Sequence, residues 1–226
     1  MTAISFSSPG MTRRALLAGL ALAPFASLST HAAQLGDTPM PVSESDRGAL
    51  KRISDYLDSI HTMQARFEQK AASGELAYGK IFLRRPGRIR IEYQAPMHAL
   101  LVADGVWLSY YDTELDQLTQ IPMSQSPLWF LLQDQIDFTT ATTVTRVERS
   151  VGVVRVSLRQ TENPDAGSVL LTFADNPLRL TQWTIRDARG TSVDVALRDA
   201  IFGGSISDDL FTTPRLRRHH GQRIVE

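Results

Sequence analysis

Residues 79–93, GKIFLRRPGRIRIEY, decide the fold because their side chains alternate with the period of a β-strand. In the second half of this stretch, Ile89, Ile91 and Tyr93 face one side, and charged residues face the other. Pro86 and Gly87 between the two halves are a turn signal. The stretch therefore predicts two adjacent strands that share one apolar face.

The first of these strands leaves a choice of which face is buried. One choice buries Ile81, Leu83 and Arg85, and the other buries Lys80 and Arg84 with their aromatic neighbours. The first choice is favoured because Lys80 and Arg84 then both reach water. It places Arg85 in an apolar interior. The alternative for Arg85 is an exposed arginine at a strand end beside the Pro-Gly turn.

Toward the C-terminus the same period continues to about residue 211. Runs of β-branched and aromatic residues are separated by turn signals, and we count about ten candidate strands between Gln64 and Phe211. Their short spacing leaves no room for helical crossovers, so the pattern predicts an antiparallel meander that closes toward a barrel. One interruption, residues 127–132 (PLWFLL), is apolar on all sides and predicts a short helix over an apolar surface.

Toward the N-terminus the period changes from 2 to 3.6. Leu50, Ile53, Leu57 and Ile60 recur at helical spacing and predict an amphipathic helix of about five turns. Ser43 precedes it as an N-cap residue, with Asp46 three positions later. The apolar face of this helix needs an apolar surface to cover.

Residues 1–33 predict an export signal. Arg13 and Arg14 precede an apolar run, and small residues follow that suit cleavage after Ala32 or Ala33. A membrane anchor is the alternative, but the apolar run is too short for a bilayer core of about 30 Å. The paired arginines fit both a general secretory signal and a twin-arginine signal, and the choice stays open. Residues 34–43 are predicted to form a flexible lead-in.

The composition excludes several classes of function. The chain has 24 Lys and Arg against 24 Asp and Glu, and this zero net charge argues against a nucleic-acid partner. Without cysteine, disulfides, thiolate metal sites, a cysteine nucleophile and a lipid-attachment cysteine are all excluded. The sequence also lacks the G-x-S-x-G and H-E-x-x-H motifs. No motif in the sequence therefore points to a hydrolase or to a metal site.

A series of short blocks resembles one family. The blocks are Phe67-Glu68-Gln69, residues 79–86, Tyr93-Gln94-Ala95-Pro96, residues 101–105, Tyr110-Tyr111-Asp112 and Leu115-Asp116-Gln117. In order and spacing the series resembles the LolA family, periplasmic carriers of lipoproteins from the inner to the outer membrane. Asp209-Leu210-Phe211 resembles the last strand of that family. The resemblance defines a domain at 44–214 and leaves a basic tail, residues 215–226, that matches no known pattern.

The resemblance implies a mainly β fold: an incomplete, open antiparallel β-barrel covered by an α-helical lid, in a single domain. It implies a periplasmic protein whose apolar cavity takes the acyl chains of lipoprotein cargo. The implied partners are an inner-membrane LolCDE-type ABC transporter and, if present, an outer-membrane LolB-type acceptor. LolB is itself a lipoprotein, so the missing cysteine favours the soluble carrier. The resemblance also implies no enzymatic activity and no cofactor, and we expect a monomer without a metal site.

The candidate site has three parts. The cavity wall is assigned to Ile81, Leu83, Ile89, Ile91 and Tyr93, and the lid to Leu50, Ile53, Leu57, Trp129, Phe130 and Leu131. Arg85 matches an arginine that the family places inside the cavity. We hypothesise that it bonds lid carbonyls in the unloaded protein and acts as a lid latch. Two other functions stay open, a lipid- or lipoprotein-binding sensor or scaffold of the same fold and a secreted hydrolase.

Overall fold

The computed structural model of the protein describes residues 43–212. The predicted export signal (1–33), most of the predicted lead-in (34–42) and the basic tail (215–226) lie outside the described residues. No helix within residues 43–212 is long and apolar enough to cross a membrane.

Helix α1 (Glu44–Asp58) opens the described part of the chain. Ser43 caps it, since its Oγ accepts a hydrogen bond from the Asp46 backbone N–H, and Leu50, Ile53 and Leu57 form its buried face. The helix is about four turns long, whereas the sequence predicted five. Ile60 and Met63 are buried at helical spacing, but Ile60 lies in the turn and Met63 in the next strand. Burial alone therefore does not distinguish the end of a helix from the start of an inward-facing strand.

Within residues 43–212 eleven strands follow the helix, against about ten expected from the sequence. They are β1 (Thr62–Ala71), β2 (Leu76–Arg84), β3 (Arg88–Tyr93), β4 (Ala99–Asp104), β5 (Trp107–Asp112), β6 (Gln117–Pro122), β7 (Thr142–Ser150), β8 (Val153–Gln160), β9 (Gly167–Asp175), β10 (Leu178–Asp187) and β11 (Ser192–Phe202). They form a single antiparallel sheet in the order β6-β5-β4-β3-β2-β1-β11-β10-β9-β8-β7. Strands β1 to β6 form one meander and strands β7 to β11 form another, and the pairing of β1 with β11 joins the two.

The sheet stays open because β6 and β7 remain its two edges within residues 43–212. The chain between these edges forms two 3₁₀ helices, Met123–Gln125 and Pro127–Leu132. The fold is therefore mainly β, an open antiparallel sheet with few helices, as the sequence predicted.

The inner face of the sheet is built from rows of side chains that lie opposite one another across the strands. One row runs from Met63 through Leu83 and Ile89, and the next runs from Ala65 through Ile81 and Ile91. These six residues are at most 7% exposed, so the predicted choice of buried face for β2 and β3 is confirmed. The main core of the protein lies between this face and the helices.

A second, smaller core lies on the outer face of the sheet. The chain that follows β11 forms a 3₁₀ helix, Asp208–Phe211, and Phe211 packs with Leu100, Val102 and Tyr111. Asp208 pairs with Arg84 at 2.7 Å and also pairs with Arg88. The expected last strand at Asp209–Phe211 is therefore wrong. Ser207 caps a helical turn here, and the arginines of β2 and β3 hold that turn against the sheet.

Gly79 gives a test of this close packing. A Cβ at this position would lie 2.0 Å from the Glu92 carbonyl oxygen and 2.6 Å from Phe67 Cε1. We expect Gly79→Ala to lower the free energy of unfolding by about 1 to 3 kcal/mol, because backbone cannot move aside cheaply. Urea denaturation measures this change.

Gly48 provides the matched control for that substitution. It lies in α1, and a Cβ there would meet no atom within 4 Å. Gly48→Ala should therefore raise the free energy of unfolding by about 0.5 to 1 kcal/mol through helix propensity. A Gly79→Ala variant as stable as the wild-type protein would contradict the close approach of Glu92 and Phe67 to this glycine.

Candidate functional site

The lid over the inner face has two parts. The first is α1, and the second, called here the lid turn, is the 3₁₀ helix Pro127–Leu132. The lid turn forms because Ser126 caps its first N–H groups and Pro127 occupies its first position. Leu128, Phe130, Leu131 and Leu132 are buried there, so this short helix covers an apolar surface as predicted.

The lid turn is held to the sheet by a few polar contacts at its two ends. The Gly87 N–H, in the β2–β3 turn, donates to the Leu132 carbonyl at 2.7 Å. At the other end, Gln160 Nε2 on β8 donates to the Ser124 and Ser126 carbonyls at 3.2 and 3.1 Å. Apolar contacts supply the rest of the attachment.

Helix α1 is attached to the other half of the sheet and to the chain after the lid turn. The Tyr56 hydroxyl accepts from the Leu180 N–H at 3.1 Å, and its ring meets Phe173 edge-on at 6.2 Å. Ser54 donates to the Ile136 carbonyl at 2.8 Å, and Asp58 Oδ1 accepts from the Ile136 N–H at 2.8 Å. The two parts of the lid are therefore connected to each other.

Between lid and sheet lies a cavity of about 20 Å³. Its lining is apolar apart from one arginine and consists of Leu57, Ile60, Met63, Leu83, Arg85, Ile89, Leu128, Leu131, Leu132, Leu180 and Trp183. A cavity of this size has room for about one water molecule. The interior is therefore closely packed, and the conformation is closed.

The predicted wall residues fall at different depths. Leu83 and Ile89 line the cavity. Ile81 and Ile91 lie one row further from it on the same face, 0% and 6% exposed. Tyr93 lies one row further still and donates a hydrogen bond from its hydroxyl to Gln69 Oε1 at 2.8 Å. The wall is therefore continuous, but its members are not equivalent.

The predicted lid residues also divide. Leu57 and Leu131 line the cavity. Leu50, Ile53 and Phe130 are buried in the main core, and Trp129 is half-buried against it. The pattern of the sequence therefore finds the covering face but does not identify the residues at the cavity itself.

Several cavity residues were missed from the sequence. Met63 and Ile60 were assigned to the helix, and Leu128 and Leu132 were passed over within a run that is apolar on every side. Leu180 and Trp183 both face inward on β10, although they are three residues apart. A bulge between Leu180 and Gln182 shifts the alternation there, and no single-residue signal marks it.

Arg85 joins the two parts of the lid. Its side chain is 2% exposed, and Nη2 donates to the Leu57 carbonyl in the last turn of α1 at 2.6 Å. Nη1 donates to the Gln133 carbonyl, just after the lid turn, at 3.4 Å and lies 3.9 Å from Asp58 Oδ1. The alternative of an exposed strand-end arginine is therefore wrong.

The charge of Arg85 is incompletely satisfied in this position. Burial lowers the pKa of its guanidinium, and the nearby Asp58 and Asp134 carboxylates oppose that shift. Nε is buried without a hydrogen-bond partner among residues 43–212. An unmade hydrogen bond of a buried polar group costs about 1 to 3 kcal/mol. The closed conformation therefore holds a buried arginine whose bonding is incomplete.

Within residues 43–212, no group of three or more His, Cys, Asp or Glu side chains is placed to hold a metal ion. The polar groups at the cavity belong to one arginine and the backbone carbonyls that it contacts. The site is thus an apolar interior beneath a two-part lid, which suits binding of an apolar molecule.

The architecture is thus an open antiparallel sheet whose apolar inner face lies beneath a two-part helical lid. Residues 58–214 match the model of the family described as "Outer membrane lipoprotein carrier protein LolA". The chain therefore belongs to the LolA family, whose proteins are carriers rather than enzymes.

Known relatives carry the same description. An outer-membrane lipoprotein carrier protein of Chromohalobacter salexigens is 28% identical over 182 residues, which cover 75% of this chain and 84% of that protein. One of Coxiella burnetii is 33% identical over 82 residues, 34% of this chain and 39% of that protein. The matches to Coxiella burnetii and to a Rickettsia prowazekii protein span less than half of those relatives' length.

The crystal structure of a LolA superfamily protein, NE2245 from Nitrosomonas europaea, is 12% identical and covers 73% of this chain and 98% of its own, with a TM-score of 0.45.

Proposed function

We propose that this protein is a periplasmic carrier that holds the acyl chains of lipoproteins between its sheet and lid and moves them from the inner to the outer membrane. The observation that supports this most directly is Arg85. It is a buried charge in an apolar interior, and its guanidinium contacts carbonyls at both parts of the lid. To expose the interior, the protein must therefore break a small number of hydrogen bonds made by this residue.

The need for such a carrier follows from the hydrophobic effect. Each methylene kept from water is worth about 0.8 kcal/mol, so a chain of about 15 methylenes costs on the order of 12 kcal/mol to expose. A lipoprotein carries more than one chain, so unassisted transfer through water is very slow. An apolar interior that opens and closes lowers this barrier.

Loading requires the lid to move. The cavity of about 20 Å³ has room for about one water molecule. An acyl chain is many times larger. The polar attachments that must break are those at the ends of the lid turn, the Arg85 contacts, and the bonds of α1 to the sheet, which include Tyr56 with Leu180. The Arg52–Asp175 and Arg149–Asp46 ion pairs also join α1 to the sheet. Displacing α1 and the lid turn from the inner face exposes a continuous apolar wall for the chains.

Release follows from the same contacts. The closed conformation regains the Arg85 hydrogen bonds, and bonds of charged groups are worth about 1.5 to 3 kcal/mol. Loaded protein lacks them, so the latch lowers the affinity for cargo by up to about 100-fold. An inner-membrane LolCDE-type transporter supplies the cargo in this proposal. A LolB-type acceptor, where present, receives it.

The proposal is tested with lipoprotein-loaded inner-membrane vesicles that contain the transporter. We expect added carrier and ATP to bring lipoprotein into the soluble fraction as a complex with the carrier. That complex should then pass its lipoprotein to outer-membrane vesicles. Retention of all lipoprotein in the inner-membrane vesicles would contradict the proposal. Binding of lipoprotein without transfer would favour a sensor or scaffold instead.

A further inference from the structure

On β1, β2 and β3, aromatic side chains first occur on the inner face of the sheet one row beyond Ile81 and Ile91. The third row contains Phe67, Gly79 and Tyr93, which lie opposite one another on β1, β2 and β3. The rings of Phe67 and Tyr93 meet edge-on with centroids 5.3 Å apart. On β1, β2 and β3 the rows nearer Arg85 are free of aromatic side chains, and here two aromatic rings lie across the inner face.

An inward polar pair lies at the far end of the wall, where Tyr93 of this row meets Gln69, two residues beyond Phe67 on β1. Gln69 is 6% exposed, and its Oε1 accepts the Tyr93 hydroxyl hydrogen bond at 2.8 Å. Burial raises the pKa of the Tyr93 hydroxyl, with the nearby Tyr110 adding to the shift and the Gln69 hydrogen bond opposing it. The pair is therefore neutral and satisfied, and an acyl chain that displaced it would leave buried polar groups unpaired.

The row is also rigid. Gly79 has no room for a Cβ because the Phe67 ring and the Glu92 backbone lie directly over it. Phe67 is 2% exposed and cannot swing toward the sheet. The aromatic row therefore cannot be compressed against the wall to admit a longer ligand.

The depth of the wall above this row matches one acyl chain. Gly79 lies in β2 and Arg85 directly follows that strand, six residues further on, a distance of about 20 Å at about 3.3 Å per residue. An extended acyl chain advances about 1.25 Å per carbon, given C–C bonds of about 1.5 Å. A chain that lies along the strand therefore has room for about 16 carbons above the row.

We propose that Phe67, Tyr93 and Gln69 form the floor of the acyl site and set the length of chain that the carrier accepts. This inference rests on the proposed function, because it assumes that chains enter from the Arg85 end. A chain that reaches the floor buries all its methylenes. Carbons beyond that length stay outside the site and add nothing to the affinity.

The test is a series of peptides that carry a single octanoyl, lauroyl, palmitoyl or arachidoyl chain, with dissociation constants measured below their micelle-forming concentrations. For the wild-type protein we expect the affinity to rise by up to about fourfold per methylene as far as palmitoyl. The affinities for the palmitoyl and arachidoyl peptides should be equal. In Tyr93→Ala the rise should continue to arachidoyl and strengthen its binding more than tenfold.

A second variant moves the floor in the other direction. Ala65 lies one row above Phe67 on β1 and is 7% exposed, so Ala65→Leu fills the row above the floor. Its affinity should become level at lauroyl. Tyr78→Ala is the matched control, because Tyr78 neighbours Gly79 but is 46% exposed on the outer face. In this variant the affinity should stop rising at the same acyl-chain length as in the wild-type protein.

The outcomes separate this inference from the proposed function. If the wild-type protein binds none of the acylated peptides, the carrier proposal itself fails. If it binds them but its affinity still climbs from palmitoyl to arachidoyl, the floor is wrong and the carrier remains. The floor is also wrong if both variants fold, as judged by circular dichroism, and keep the wild-type break.

Discussion

Arg85→Leu should bind lipoprotein at least tenfold more tightly than the wild-type protein and lose transfer to the outer membrane. In the closed conformation the wild-type guanidinium donates to the Leu57 carbonyl at 2.6 Å and to the Gln133 carbonyl at 3.4 Å, and the proposal has both bonds broken when the lid opens. Leucine makes neither bond, so closing the lid no longer competes with cargo. Hydrogen bonds of charged groups are worth about 1.5 to 3 kcal/mol, which is tenfold to about 100-fold in affinity.

The measurement is the rate at which carrier loaded with labelled lipoprotein passes it to outer-membrane vesicles. Arg84→Leu is the matched control, since Arg84 is the preceding residue but pairs with Asp208 on the outer face. It should transfer at close to the wild-type rate. Arg85→Lys keeps the charge but not the planar donor geometry, so an intermediate rate is expected. Transfer by Arg85→Leu at the wild-type rate would show that the latch has no role in release.

Ile81→Asp should destabilise the protein by on the order of 4 kcal/mol, which is a large part of the stability of an ordinary domain. Ile81 is 0% exposed and lies between Ala65 and Ile91 in the second row of the inner face. A carboxylate there has no partner in that row and no access to water. The midpoint of urea denaturation should fall sharply, and the remaining folded protein should not bind acyl chains.

Lys80→Asp is the control at the adjacent position on the same strand. Lys80 is exposed on the outer face, opposite Glu92 on β3 and Arg66 on β1. A second acid beside Glu92 changes stability by only about 1 kcal/mol at an exposed site. Equal losses in the two variants would mean that the inner and outer faces of β2 are wrongly assigned.

The local structure of the wall was predictable because it depends on neighbouring residues in the chain. The alternation in residues 88–93 identified Ile89 and Ile91 as inward-facing, and the charges of Lys80 and Arg84 fixed the orientation of the preceding strand. Arg85 follows from that orientation. Each of these conclusions needs only the period of a strand and the preference of charged side chains for water.

Features that depend on distant segments could not be predicted in the same way. Nothing near Phe211 indicates that it packs on Leu100 and Val102, more than a hundred residues earlier, so a helical turn was taken for a strand. The β10 bulge hides the inward position of Trp183. The length of α1 was overestimated because Met63 continues the helical spacing of buried residues, although it is buried as an inward-facing residue of β1.

The same limit applies to the site. The sequence identified a buried arginine and an apolar wall, but not the acceptors of that arginine. Leu57 and Gln133 receive its hydrogen bonds through backbone carbonyls, which any residue type supplies. The aromatic row at the far end of the wall is also invisible to a pattern that counts Tyr93 simply as inward-facing.

Photo-crosslinking of a lipopeptide with a diazirine at the end of one acyl chain tests the central claim most directly. The complex is irradiated, digested and mapped by mass spectrometry. We expect adducts on the inner face, at Ile81, Ile91 and the rows beside them, together with lid residues such as Leu57 and Leu131. Adducts confined to the outer face, around Leu100, Val102 and Phe211, would contradict an acyl site beneath the lid.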